Sequence, residues 1–354
     1  MPISLSPLVH IEISVRDAEA AYRFLNHVFG ARKVQEGFID FLQSQQLKFA
    51  YSDKRAQEEF DEIMNGTQYN GCHVGLGDVV FQFIEPLKGK HSWAEQITKT
   101  GPGVHNLTFG VDDMRETVNT LAGEGITPLF SFPLDWARLY GEENVKDEAQ
   151  PVYMMDSMGK LGFHLELFES PLKETPVNPA APKYVTGENE LIGPVSPMLH
   201  IELTTHDAEA TLSILSSAFG SQKVEEDFAN FLDSPFMRII HMNLSNVVLQ
   251  YCQPLAEQGS WYEQLKARGP SVHNITFVVD DIDETMKRIE EAGASDLFTF
   301  PLDWAKLVGE ENARPASKPV HMVNTMDILG FYLELAERPV KDSATFDILF
   351  TDYK

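Results

Sequence analysis

Four long phrases of this chain occur twice. HIEISVRDAEA at His10 returns as HIELTTHDAEA at His200, and VHNLTFGVDD at Val104 returns as VHNITFVVDD at Val272. FPLDWARLYGEEN from Phe132 returns as FPLDWAKLVGEEN from Phe300, and LGFHLELFE from Leu161 as LGFYLELAE from Leu329. An internal repeat of this quality requires two copies of one fold. It also isolates the polar residues held in register: His10 with His200, His73 with His241, Gln82 with Gln250, His105 with His273, and Glu166 with Glu334.

The last four pairs share one spacing, and the first differs from it. His105 to His273, Gln82 to Gln250 and Glu166 to Glu334 are each 168 positions apart, whereas His10 to His200 is 190. The first copy therefore carries 22 extra residues, and the polar stretch 52–71, unmatched in the second copy, is the expected site of insertion. Its charge and lack of apolar periodicity predict a loop or short helix near the first site. The expected boundaries are 1–170 for the first domain, 171–197 for a Pro-rich linker, 198–338 for the second domain and 339–354 for a tail.

Each copy divides again. LVHIEISV reads as a strand, Asp17 as a helix cap, AEAAYRFLNHVF as an amphipathic helix and Gly30 as its stop. CHVGL and VVFQFIE read as a hairpin. The second part repeats the order, with VHNLTFGV as a strand, Asp112 or Asp113 as a cap, and VYMMD and FHLELFE as strands. Strand, helix and three strands, four times over, is an α+β fold of four βαβββ units. A net charge of −25 argues against a nucleic-acid backbone or an anionic membrane as partner. Cys72 and Cys252 do not occupy matching repeat positions, no apolar run reaches membrane-spanning length, and the N-terminus lacks a signal-peptide pattern. A cytoplasmic protein acting on a small molecule is expected, and a homodimer is compatible with the sequence.

The repeated polar residues lie on strands that are otherwise apolar. Alternation places His10, Glu12 and Ser14 on one face and Ile11 and Ile13 on the other, and His200, Glu202 and Thr204 repeat this. With Gly77-Asp78 as a two-residue turn, His73 lies opposite Gln82; with Ser245-Asn246 as the turn, His241 lies opposite Gln250. Glu166 and Glu334 sit within strands so apolar that an unpaired carboxylate would be expensive. Two imidazoles, an amide oxygen and a carboxylate in each copy suit a divalent first-row metal. Trp93 and Trp261 recur after the glutamine strand and read as core. PLDWA reads equally as a loop over the cavity mouth and as packing between units through Trp136 and Trp304.

Four such units, with polar residues on the first and last strand of each, resemble the vicinal oxygen chelate superfamily. The phrases that carry the resemblance are HIEISVRDAEAAYRFLNHVFG, HNLTFGVDD and DSMGKLGFHLELFE, and it covers about residues 8–170 and 198–338. The order His, Gln, His, Glu is similar to that of methylmalonyl-CoA epimerases. Carried over, it implies metal ligands at His10, Gln82, His105 and Glu166, and at His200, Gln250, His273 and Glu334. Methylmalonyl-CoA epimerases resemble one copy rather than two. Glyoxalase I members usually show a glutamate where Gln82 and Gln250 stand, and extradiol dioxygenases typically keep their two-histidine, one-carboxylate iron site in one half. Tandem 2-epi-5-epi-valiolone epimerases, acting on keto-cyclitols, have a length similar to this chain.

The resemblance implies a metal-dependent epimerase or isomerase acting at carbon next to a carbonyl, with two metals per chain. Zinc is the first choice, and manganese, cobalt, nickel or iron suit the same donors. His73 and His241 are the first candidates for the base, with Glu12 and Glu202 second. The rival readings are an Fe(II) extradiol dioxygenase, a glyoxalase-type lyase and a small-molecule binding or resistance protein. Whether a site is closed by units of one copy or of opposite copies is open at this level.

Overall fold

A computed structural model describes residues 2–34, 40, 50–51, 69–87, 92–173, 192–224, 235–311, 313 and 318–338. The expected insertion up to residue 68, most of the linker and the C-terminal tail lie outside the described residues. Tyr69, Asn70 and Gly71 are strand residues, so the insertion ends before Tyr69 rather than at 71. Among the described residues, no helix is long and apolar enough to cross a membrane.

The first copy folds into one mixed sheet. Its strands are β1 (His10–Ser14), β2 (Arg32–Val34), β3 (Ala50–Tyr51), β4 (Tyr69–Leu76), β5 (Val79–Pro86), β6 (Gly103–Val111), β7 (Pro128–Phe132), β8 (Val152–Met155) and β9 (His164–Glu169). Their spatial order is β2-β4-β5-β1-β6-β9-β8-β7-β3. The second copy contributes β10 (His200–Thr204), β11 (Met237–Leu244), β12 (Val247–Pro254), β13 (Ser271–Val279), β14 (Asp296–Phe300), β15 (Val320–Val323) and β16 (Tyr332–Glu337). They follow the order β11-β12-β10-β13-β16-β15-β14. At the centre of each sheet the first strands of the two units run antiparallel, β1 against β6 and β10 against β13. Units of the same copy therefore pair, which settles the question left open above.

The helices are α1 (Ala18–Phe29), α2 (Ser92–Lys99), α3 (Met114–Gly123), α4 (Ala208–Phe219), α5 (Ser260–Arg268) and α6 (Ile282–Glu291), with shorter turns elsewhere. Asp17 caps α1 by accepting from the Ala20 N–H, and Gly30 ends it at φ +66°, a left-handed conformation that glycine adopts without steric cost. Asp207 and Gly220 do the same for α4. Ala21, Leu25 and Phe29 bury one face of α1 with Ile11 and Ile13 of β1. That leaves the opposite, polar face of the strand for the site. Helices α2 and α5, which join the two units of each copy, stand outside the strand-helix-three-strand pattern.

Reciprocal contacts tie the copies together. The Asp78 carboxylate in the β4–β5 turn accepts from the Met198 N–H at 2.7 Å, and the Asn246 amide in the β11–β12 turn accepts from the Leu8 N–H at 2.7 Å. Each turn thus anchors the segment leading into the other copy's first strand. Gly162 and Gly330, which end the short helices Met158–Leu161 and Met326–Leu329, make the second reciprocal contact. A Cβ at Gly330 would lie 2.7 Å from the Gly103 nitrogen and 2.8 Å from an Ile13 methyl, and φ there is +81°. Gly330→Ala should therefore destabilise the chain by about 2–4 kcal/mol through backbone strain and a clash that neither partner can relieve. Urea denaturation would check this; a loss below about 1 kcal/mol would mean that the copies separate readily.

Candidate metal centre

Strand register assembles the site. Across the first sheet, Gln82, Glu12 and Asn106 lie side by side, while the neighbouring row holds His10, Thr108 and Glu166. Nitrogen of His10 and carboxylate oxygens of Glu12 and Glu166 all lie within 4.8 Å of one another; His200, Glu202 and Glu334 repeat the arrangement. His10 Nε2 is 3.4 Å from Glu166 Oε2, and His200 Nε2 is 3.7 Å from Glu334 Oε2. Thr108 donates to Glu166 at 2.5 Å and Asn106 at 3.0 Å; Thr276 and Asn274 do so to Glu334 at 3.0 and 2.7 Å.

His105 lies beside this cluster. Alternation along β6 would aim it with Leu107 and Phe109 into the core, but a bulge leaves it unpaired between Asn106 and Val104 and re-aims the ring. Its Nδ1 edge then sits 2.7 Å from Asn106 Oδ1 and 3.5 Å from Glu12 Oε1. His273 is bulged in the same way. The unit-equivalent of His10 is Asn106: His10 stands seven residues before the capping Asp17, and Asn106 seven before the capping Asp113. By the same correspondence Glu12 matches Thr108 and Gln82 matches Glu166. Counting back from the caps finds Asn106 and Asn274; the adjacent histidines conceal them.

The hairpins have the expected register, His73 against Gln82 and His241 against Gln250. In the second copy the Gln250 amide bridges: its Oε1 lies 2.7 Å from His241 Nε2, and its Nε2 donates to Glu202. An amide oxygen only accepts, so His241 Nε2 is the donor there and holds the glutamine in place. The tryptophans expected in the core instead touch the site. Trp93 on α2 donates its indole N–H to Glu12, and Trp261 on α5 donates to Glu202. The indoles also stack on the bulged histidines, at 5.3 Å for Trp93 and His105 and 4.8 Å for Trp261 and His273. Trp136 and Trp304 are buried in packing, one of the two roles expected of them.

Burial governs the electrostatics. It pushes Glu12 up to about 8, aided by the nearby Glu166 charge and opposed by the Trp93 N–H and His10. Burial also works to raise Glu166, but bonding to His10 and Thr108 outweighs it and holds this carboxyl below its ordinary value. Burial drives His73, His164 and His241 down to about 3 and His105 to about 4, so all four are neutral at pH 7.

A pH dependence of stability follows. Between about pH 6.5 and the folded values, the unfolded chain binds more protons at these histidines, so stability falls as pH drops through that window. Glu12 acts oppositely: its folded pKa lies above the unfolded one, so its contribution is lost as pH rises towards 8. Metal-free protein should resist urea best at about pH 6–7, with a steep acid fall and a shallow alkaline one. A level midpoint from about pH 7 to 4 would contradict neutral burial of the histidines.

A cavity of about 290 Å³ opens over the second cluster. A family model, that of the glyoxalase/bleomycin resistance protein/dioxygenase superfamily, matches the chain over residues 9–134 and 199–300. The chain belongs to the glyoxalase/bleomycin resistance protein/dioxygenase superfamily. The superfamily fold accounts for both sheets, and its members include metal-dependent enzymes acting on small molecules. No curated protein sequence matches the chain as a relative. Among solved structures, a mutant of 4-hydroxymandelate synthase from Streptomyces coelicolor is similar at 16% identity and TM-score 0.55, over 96% of this chain and 94% of that one. The 2,2',3-trihydroxybiphenyl 1,2-dioxygenase from Sphingomonas wittichii strain RW1 is similar at 12% identity and TM-score 0.50, over 95% and 92%. At such identities the likeness is one of fold.

Proposed function

We propose that the chain is a metal-dependent isomerase or epimerase acting at the carbon next to a carbonyl, with one site in each copy. The observation that carries this reading is the repeated buried cluster whose two carboxyls stand in unlike settings: Glu12 and Glu202 take a tryptophan N–H, while Glu166 and Glu334 take a threonine and an asparagine donor. Carboxyls in unlike settings can divide the roles of proton carrier and fixed charge.

The donor set fits a divalent cation. Two carboxylates and one imidazole converge in each cluster, and among the described residues the ion-pair partners of these acids are histidines rather than lysine or arginine. His10 and Glu166 would be the fixed donors in the first copy, and His200 and Glu334 in the second, with Glu12 and Glu202 beside them. When bound, the metal would supply Lewis acidity towards a carbonyl and its neighbouring oxygen. Zinc and manganese both suit one nitrogen and several oxygens. Glu12 would take the α-proton and return it, held in orientation by the Trp93 N–H. Glu202, held by Trp261 and Gln250, would do the same. Asn106 and Thr108 donate to Glu166 and hold it towards the cluster, as Asn274 and Thr276 do for Glu334.

An Fe(II) dioxygenase of the two-histidine, one-carboxylate kind is less well supported, because each cluster brings one imidazole and places an asparagine at the unit-equivalent position. Incubating zinc- or manganese-loaded protein in D2O with a panel of α-hydroxyketones tests the proposal. Metal-dependent deuterium incorporation is expected. Oxygen uptake with catechols, and no incorporation, would overturn it in favour of the dioxygenase.

A further inference from the structure

Two arginines meet at the seam between the copies. Arg16, between β1 and α1, comes from the first copy, and Arg268, the last residue of α5, comes from the second. Both reach the Gly101-Pro102-Gly103 loop that joins α2 to β6. A Cβ on Gly101 would lie 3.5 Å from Arg268 Nη2 and 3.8 Å from Arg16 Nη2. The two guanidinium groups thus converge on one point, close enough for a single oxyanion to bridge them.

The fold itself does not require this pair. The counterpart loop of the second copy is Gly269-Pro270-Ser271, and a Cβ on Gly269 would meet nothing within 4 Å. The repeat offsets carry Arg16 onto His206 and Arg268 onto Thr100. The same loop in the same fold is therefore built without either cation.

Nor is the charge matched within the chain. Arg268 is half-buried, its Nη1 donates to the Pro102 carbonyl at 2.6 Å, and among the described residues no carboxylate pairs with it. Arg16 Nη1 pairs with Asp327 at 3.1 Å, but that carboxylate is exposed and bonds Arg16 alone. Neither Nη2 group has an acceptor among the described residues. Burial holds the Arg268 pKa below its ordinary value, opposed by Tyr332 and Asp327 and aided by Arg16. A half-buried cation beside a like charge is costly unless an anion offsets it. The chain has 53 acidic residues to choose from, yet no described one is set against Arg268.

We propose that Arg16 and Arg268 form an oxyanion site that takes a phosphate group, as the free ion or on a small ester. The planar guanidinium fork suits phosphate oxygens. Each copy supplies one arginine, so a bound phosphate clamps the copies together and stabilises the folded chain. The site shares no residue with either cluster and does not depend on their holding metal.

Calorimetry on the full chain with inorganic phosphate and with glycerol phosphate, at fixed ionic strength, tests this. One phosphate per chain should bind saturably, with a dissociation constant of about 1 mM or tighter, whether zinc is present or not. Arg268→Gln should weaken binding by roughly tenfold or more. Arg16→Gln, at an exposed position where the change spares the fold, should do the same. His206→Gln and Thr100→Ala, at the counterpart positions, should leave binding unchanged. Phosphate should also raise the urea midpoint of the unaltered chain more than that of Arg16→Gln. Whichever probe binds more tightly gives the source of the phosphate. No saturable binding of either probe, uptake only in zinc-loaded protein, or full affinity in both glutamine variants would overturn the proposal.

Discussion

Glu12→Gln together with Glu202→Gln should abolish most proton exchange while leaving the bound metal in place. Glutamine keeps the shape of the side chain and one acceptor for the Trp93 or Trp261 N–H, but cannot take up a proton. Loss of a general base typically costs about 10²–10⁴-fold. His10 and Glu166 remain as donors in the first cluster, and His200 and Glu334 in the second. If the double variant loses its metal as well, Glu12 and Glu202 are ligands first, and the proton carrier must be sought elsewhere. His241→Ala should cost far less, because that imidazole holds Gln250 rather than facing the cluster alone. Its pKa of about 3 also makes it a weak acceptor of a carbon-bound proton at neutral pH. Comparable losses in His241→Ala and Glu202→Gln would reverse the assignment and restore the histidines as the bases.

Glu166→Ala should remove one of two metal equivalents, and the double variant Glu166→Ala/Glu334→Ala should remove both. The two clusters share no residue and lie in separate sheets, so their losses should be independent. The single variant should leave exchange at the intact site unchanged. Elemental analysis after metal loading reads the result directly. One equivalent in the unaltered chain would mean that only one cluster is competent. Unchanged content in the double variant would place the metal outside both.

Much of this was legible before any coordinates. The repeat gave the two sheets, the capping aspartates gave the helix starts, and the two-residue turns gave the register that sets His73 against Gln82. Those features are local, and local chemistry leaves a mark in sequence. The bulge at His105 and His273 is not local. It arises where β1 and β6 pair across about ninety residues, and nothing in VHNLTF announces that His105 leaves the alternation. The roles of Trp93 and Trp261 were hidden for a related reason. A recurring tryptophan reads as core until the helix that carries it is seen to lie against the polar face of the central strand. Asn106 and Thr108 recurred as faithfully as the histidines, but amide and hydroxyl side chains are common on strands and drew no attention. Glu12 was visible from alternation, yet its high pKa comes first from burial and then from Glu166, which reaches it only through the pairing of β9 with β6.

The most direct test of two metal centres is anomalous diffraction from crystals of zinc-loaded protein, collected at the zinc edge. Two peaks per chain are expected, one bonded to His10 and Glu166 and one to His200 and Glu334. The absence of peaks at these clusters, or peaks confined to surface carboxylates, would contradict the account.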